Sequence, residues 1–305
     1  MSKILKIEEI VYDGDTYNLH VENNHNYFAN GMLVSNCHTS SAKVLSSIVG
    51  LCTNAKFKFG VSGTLQESKV AKEQLESLFG QTHQFVTTKE LIDNGTLTPI
   101  KIYNLVLNYN KEDKKKYETK VKTEYDKNKD GAAKKYQIET NYIQEHKGRQ
   151  KFILQTVKKC KGNTLILFKN IKYGEKLTEL INKYIEDRNV YFVDGDVSPK
   201  ERERIRLIME QEEDAIILAT LSIFSTGINI KKLKYLMFVQ PIKSKIKVLQ
   251  SIGRVLRKHD TKVESILIDV VDNITGKNFS VKHAMSKLEL YEKEGFNFKV
   301  KEINL

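Results

Sequence analysis

The chain has 305 residues, with 50 Lys and Arg against 38 Asp and Glu, for a formal charge of +12 and a pI near 9.3. That length buries a large core and favours roughly two domains, and the basic balance points to a polyanion, nucleic acid first, as partner. Three cysteines without metal-type spacing exclude a disulfide framework and a cysteine metal site, no apolar run reaches the ~20 residues of a membrane span, and acids stand where a signal peptide needs an apolar stretch, so a cytoplasmic chain with no membrane partner is expected.

In chain order, residues 3–34 read as short strands, KILKIEEIVY, DTYNLHVE and YFANGMLV, separated by the turn signals DGD and ENNHN. This all-β piece is too small to fold alone. It is also electrostatically foreign: residues 1–36 hold two lysines against five acids, a net of −3, which leaves +15 for residues 37–305. From Ser40 helical spans alternate with apolar runs: KFKFGVSG (56–63), a helix over 69–79, then IKIYNLVLNY (100–109), NTLILF (163–168), VYFVDG (190–195), AIILAT (215–220), YLMFVQ (235–240) and ESILIDVVD (264–272). Such alternation predicts parallel sheets covered by helices. Residues 111–153, dense in Lys and Glu, read as a pair of solvated helices. Cys52 and Cys160 read as core thiols.

The residues between these regions carry their own chemistry. An Asn side-chain amide can attack its own backbone carbonyl and cut the chain after itself, which is productive when the next residue is a nucleophile bearing an acyl group. Asn36 is followed by Cys37, the strongest ordinary nucleophile, and His25 lies on the preceding hairpin. The whole segment TYNLHVENNHNYFANGMLVSNC resembles the C-terminal splicing blocks of inteins, and KILKIEEI after a Met resembles the start of phage-type split-intein C-terminal fragments. The resemblance implies that Asn36 cyclises, that Cys37 is the first extein residue and acyl acceptor, and that His25 assists proton transfer. Ser35 stands where inteins most often place His, and Asn18 where they often place an Asp. Asp13, Asp15 or the missing fragment can supply the proton.

After Cys37, further motifs follow in order. GVSGTLQES (60–68) presents Ser62, Gly63 and Thr64 as a hydroxyl-bearing turn after a buried strand. TLSIFSTGINI (220–230) follows an apolar strand, where parallel sheets bind ligands, with Ser225 and Thr226 able to donate hydrogen bonds to phosphate oxygens and Gly227 permitting close approach. In LQSIGRVLRK (249–258), Gln250, Gly253, Arg254 and Arg257 match Q-x-x-G-R-x-x-R. The three-residue spacing of Arg254 and Arg257 predicts one helix face.

This order resembles superfamily-two helicases, and among them the phage UvsW-type recombination and repair helicases, in FSTGINIKKL, IKSKIKVLQSIGRVLRKHD and the terminal FNFKVKEINL. The resemblance implies an α/β fold of two RecA-like parallel-sheet lobes, the first incomplete, behind the small all-β intein piece: 1–36, 37–103 and 104–305. It implies arginine fingers at Arg254 and Arg257, ATP contacts at Gly227, Asn229, Gln250 and Gly253, coupling through Ser62, Gly63 and Thr64, and nucleic-acid contacts at Ser225 and Thr226. His38 then closes a D-E-C-H box whose Asp-Glu comes from another chain. The sequence holds no G-x-x-x-x-G-K-[S/T] and no Asp-Glu before Cys37. The expectation is therefore a trans-splicing precursor delivering the C-terminal half of an ATP-dependent DNA helicase. ATP and Mg²⁺ act only after joining to the P-loop half, DNA is the substrate, the infected bacterial cytoplasm the setting, and no metal site is resident. Two alternatives stand beside it: a nucleic-acid-binding helicase half without ATPase, and a truncated reading of one continuous intein-bearing gene, against which the opening Met counts.

Overall fold

The computed structural model describes residues 26–29, 32–36, 47, 49–51, 58–61, 69–127, 129–226 and 230–305, which fall into two compact units, 1–85 and 86–305. In the smaller unit, β1 (Asn26–Ala29) and β2 (Met32–Asn36) run antiparallel. The residues that separate them in sequence, Asn30 and Gly31, are the pair that tight hairpin connections favour. β2 also pairs in parallel with β3 (Lys58–Val61), with Asn36 opposite Val61. The expected all-β piece is bounded at residue 36, the last residue of β2. Its last strand shares a sheet with a segment from beyond the junction, which satisfies backbone groups that a lone hairpin would leave at an open edge. α1 (Lys69–Phe79) spans the predicted helix and buries Ala71 and Leu75, four apart on one face.

The larger unit opens with α2 (Thr88–Asp93), started by a capping box between Thr87 and Glu90. Its strands are β4 (Ile100–Asn108), β5 (Thr164–Phe168), β6 (Val190–Val193), β7 (Ile216–Thr220), β8 (Tyr235–Phe238), β9 (Ser265–Asn273) and β10 (Phe298–Asn304). They form one parallel sheet in the order β10-β4-β9-β8-β5-β7-β6. Every residue of β5 and β7 is buried. Leu165, Leu167, Ile217 and Ala219 enter the core on one face, and Ile166, Phe168, Ile216 and Leu218 the core on the other. Burial on both faces is why these strands are unbroken apolar runs instead of alternating ones.

One face is covered by α7 (Pro199–Gln211), α8 (Leu221–Thr226), α9 (Lys245–Val255) and α10 (Phe279–Lys293), through Ile205, Phe224, Ile252 and Leu290. The other is covered by α3 (Lys111–Glu124), α4 (Ala132–Glu145), α5 (Lys147–Lys159) and α6 (Ile171–Tyr184), through Tyr117, Ile143, Ile153 and Leu177. Gly174 is needed in α6: a Cβ there would stand 2.4 Å from the Phe168 ring, which itself stacks on Phe192.

Three sequence readings change here. Residues 111–153 form most of three helices, not a pair of solvated ones, and each buries apolar side chains against the sheet. Their many lysines mask an amphipathic pattern. The terminal FNFKVKEINL adds the edge strand β10. The expected seam after residue 103 falls inside β4, where Asn104 is paired with Asp269 on one side and Val300 on the other, and the compact units part at 85/86. Cys160 is buried, its thiol pushed up to about 11 by burial, as a core cysteine should be.

Candidate functional site

Of the expected splicing residues, Asn36 ends β2, while His25 and Cys37 lie outside the described residues, as do His38, Ser62, Gly63, Thr64, Gly227 and Asn229. Ser225 and Thr226 form the end of α8.

The structure places the two arginines at the meeting of α8 and α9. β7 ends at Thr220 and the chain turns at once into α8, whose Phe224 is fully buried. The Arg254 guanidinium sits over the Phe224 ring, 5.8 Å from its centroid. Burial, then the like charge of Arg257, pull the Arg254 pKa down to about 10, so it stays cationic at neutral pH. Arg257 does not share the helix face: α9 ends at Val255 with Leu256 as its C-cap. Arg257 lies in a short antiparallel bridge with Leu97, fixed by Thr98 N–H donating to the Leu256 carbonyl at 2.7 Å. The residues before β4 thus set where the second cation stands, which three-residue spacing could not show. Gly253 is exposed, and a Cβ there would meet nothing within 4 Å, so internal packing among the described residues does not require the glycine. Two neighbouring cations, Arg254 half-buried and Arg257 exposed, suit an anionic phosphate, which relieves the repulsion between them.

A second feature went unread in the sequence. At the carboxyl end of the sheet lies a cavity of about 680 Å³, bordered by Phe168 of β5, Thr220 of β7 and Gln240 beyond β8. This is where open parallel sheets place ligands. The first residues of α4 and α6, Ala132 and Ile171, and Ser244, the N-cap of α9, all line it, so the positive ends of three helices point there. The α10 start also lines it but is already occupied: the Glu139 carboxylate accepts from Phe279 N–H and Ser280 N–H, at 2.9 and 2.8 Å. Lys169, Lys243 and Lys247 line the cavity, no carboxylate does, and none of the three pairs with a carboxylate among the described residues. His283 records this field: burial, then Lys287, Lys243 and Lys169, pull its pKa down to about 4.

Buried polar contacts hold the cavity open. The Gln240 side-chain oxygen accepts from the Lys169 and Asn170 backbone N–H groups and fixes the turn after β5. Next to it, the Val239 carbonyl accepts from Arg149 Nη2 at 2.6 Å. Arg149 is wholly buried, donating also to Asp272 Oδ1 at 2.6 Å and to the Tyr173 hydroxyl at 2.8 Å. Burial opposes its charge, but Asp272 and the neighbouring tyrosines outweigh that, and its pKa lies above the ordinary value. The signal for this site was the Lys-Asn after the β5 run and the Ile-Lys-Ser-Lys after the β8 run. What hid it is that the two stretches are some 70 residues apart.

Among the described residues no group of three His, Cys, Asp or Glu could hold a metal ion, and no helix is long and apolar enough to cross a membrane. Residues 148–259 match the family described as the helicase conserved C-terminal domain. The chain is 33% identical over 292 residues to the ATP-dependent DNA helicase uvsW of Enterobacteria phage T4, covering 90% of this chain and 55% of that protein. It is 25% identical over 269 residues to a helicase of a Sulfolobus islandicus filamentous virus, covering 86% of this chain and 45% of that one. The crystal structure of T4 UvsW matches with a TM-score of 0.53 at 29% identity, over 90% of this chain and 54% of that one. The chain thus spans about half the length of the curated relatives it matches. The larger unit has a parallel-sheet fold like that of RecA-like helicase lobes and is similar to part of this helicase, with residues 148–259 similar to a helicase C-terminal domain; the matches give no support to an intein fragment.

Proposed function

We propose that the chain supplies the second lobe of an ATP-dependent DNA helicase acting in recombination or repair on branched DNA, and that it is joined to its other half by splicing between Asn36 and Cys37. The observation that carries the helicase reading is the seat of Arg254 on Phe224, which brings the Q-x-x-G-R-x-x-R segment against the helix that leads into STGINI. Arg254 and Arg257 fit a triphosphate as cations with no P-loop of their own. They would close on a γ-phosphate held by another lobe, while Gly227, Asn229, Gln250 and Gly253 approach the nucleotide, and Ser62, Gly63 and Thr64 couple the lobes. Bound ATP with Mg²⁺ supplies the free energy of the cycle. The Mg²⁺ carboxylates would come from the partner's Asp-Glu, completing a box with His38. DNA phosphates would lie along the carboxyl-end cavity, and Ser225 and Thr226 would contact the nucleic acid.

Splicing is supported by the sequence around Asn36 and by its place at the end of a hairpin strand. A second reading, a DNA-binding helicase half that stays unjoined, is favoured by the parallel pairing of β2 with β3, in which the chain fills that sheet position by itself. Mixing with an N-terminal partner under reducing conditions separates the two. The splicing reading expects loss of about 36 residues and a new peptide bond by mass spectrometry. Asn36→Ala should stall at the branched intermediate and Cys37→Ala should prevent ligation; an intact chain with a verified partner selects the second reading. In the joined product, Arg257→Ala should lower kcat by roughly 10³-fold with little change in ATP affinity, and Lys should rescue poorly.

A further inference from the structure

Three aromatic rings wall one side of the carboxyl-end cavity, and neither phosphate binding nor the arginine pair uses them. Tyr136 comes from α4, while Phe279 and His283 stand one turn apart on α10. The Tyr136 centroid lies 5.5 Å from that of Phe279 and 5.7 Å from that of His283. All three rings line the cavity and are partly exposed, so they present ring surface that the fold does not cover. Tyr136 is held in place by its hydroxyl, which donates to the Pro241 carbonyl at 3.2 Å. Cations attend the rings: Lys169 Nζ is 5.6 Å from the Tyr136 centroid, and Lys282 Nζ is 5.7 Å from that of Phe279. Ile171, exposed at the first turn of α6, adds apolar surface to the lining.

We propose that this ring cluster seats one unstacked nucleobase of a DNA strand whose phosphates run past Lys169, Lys243 and Lys247. The inference rests on the reading of this cavity as a DNA site and names what part of the DNA enters it. Partly bare rings offer planar surface of the kind on which bases stack, and lysines without a carboxylate partner among the described residues match the phosphates that flank each base. An acidic rim would repel that ligand, and the lining has none among the described residues. The volume of about 680 Å³ admits a base together with its sugar and a phosphate. Because every base has a π-face, the seat would be tolerant of sequence and would favour strands whose bases are already unstacked.

The test compares binding of the 305-residue chain to a short oligothymidylate and to an abasic oligomer with the same number of phosphates. The proposal expects the intact strand to bind roughly tenfold or more tightly than the abasic one. Tyr136→Leu should bring that ratio close to one while leaving the abasic affinity unchanged, and Tyr136→Phe, which keeps the ring, should retain it. Thermal melting confirms that each variant is folded. A ratio near one for the unaltered chain, or an undiminished ratio in folded Tyr136→Leu, overturns the proposal. So does competition by free thymidine monophosphate as strong as that of the oligomer, since the occupant is then a mononucleotide. Salt-dependent binding of the abasic strand reports separately on the phosphate contacts, so failure of the ring seat and failure of the DNA reading are distinguished.

Discussion

The two ends of the seven-stranded sheet both carry a cavity edged with lysines, and only one is prepared for an anion. At the amino end, about 520 Å³ is lined by Lys161, Lys232, Lys234 and Lys262 together with Glu213, Asp214 and Glu264. Lys232 is paired with Glu213, and Lys262 is spent on the Val255 and Lys231 carbonyls. At the carboxyl end three lysines face a lining without a carboxylate among the described residues, and several helices start there. Lysine content therefore says little: the amino-end cavity has four lysines and the carboxyl-end one three. What separates a solvated, self-neutralised surface from a binding surface is whether acids were placed among the bases, and which way the helices of a parallel sheet point.

Each end is also braced by a buried arginine, and removing these should give the largest effects. Arg149 at the carboxyl end faces Asp272, which is itself wholly buried. Arg188 at the amino end donates to the carbonyls of Val157 and Gly162 and pairs at 2.9 Å with Asp214, whose side chain is 35% exposed. Arg149→Leu strands a carboxylate with no access to water and should lower stability by about 3–5 kcal/mol. Arg188→Leu leaves an aspartate that water can reach and carbonyls that lose a donor, for about 1–3 kcal/mol. Urea unfolding followed by circular dichroism ranks the two. The reverse order would mean that the amino end is the more tightly specified.

These arginines also mark what was legible in the sequence. Strands β5 and β7 were readable because burial on both faces writes an unbroken apolar run. Helix α1 was readable because its apolar positions repeat on one face. The α3–α5 region was misread as solvated because its lysine count hid that Arg149 is wholly buried; a charged side chain earns such a place only through partners on other elements, here Asp272 and Tyr173. The ring cluster was invisible for the same reason: Tyr136 and Phe279 meet only because α4 and α10 are locked by Glu139. At the arginine pair, residue types and spacing were legible, but the turn that takes Arg257 off the helix depends on Leu97 and Thr98.

A smaller effect separates the cavities by their ligand. Single-stranded DNA affinity plotted against salt should lose roughly 0.7 from its log–log slope for each of Lys169→Ala, Lys243→Ala and Lys247→Ala. Lys161→Ala and Lys234→Ala should leave the slope unchanged. If the amino-end pair changed it equally, the strand would track the whole basic surface and the contrast between the two ends would be lost.

The most discriminating effect is on the pH dependence of stability, where each end has its own window. His283 has its pKa pulled down to about 4 in the folded protein against 6.5 for a free histidine, by burial first and the neighbouring lysines second. Between those values the unfolded chain holds the extra proton, so the histidine's contribution to stability is complete above about pH 6.5 and is lost as pH falls toward 4. Lys262 has its pKa pulled down to about 8 from 10.5, mainly by burial. Here too the unfolded chain binds the proton more tightly, so stability should rise as pH climbs from about 8 to 10.5. His283→Asn should flatten the acidic window and Lys262→Met the alkaline one, read as differences from the unaltered chain in urea midpoints. Bound oligothymidylate then tests the assignment of the two ends. A strand of phosphates in the carboxyl-end cavity offsets the lysines facing His283 and should raise its pKa, narrowing the acidic window, while the alkaline window attributed to Lys262 stays where it was. A shift of the alkaline window instead would put the DNA at the amino end of the sheet.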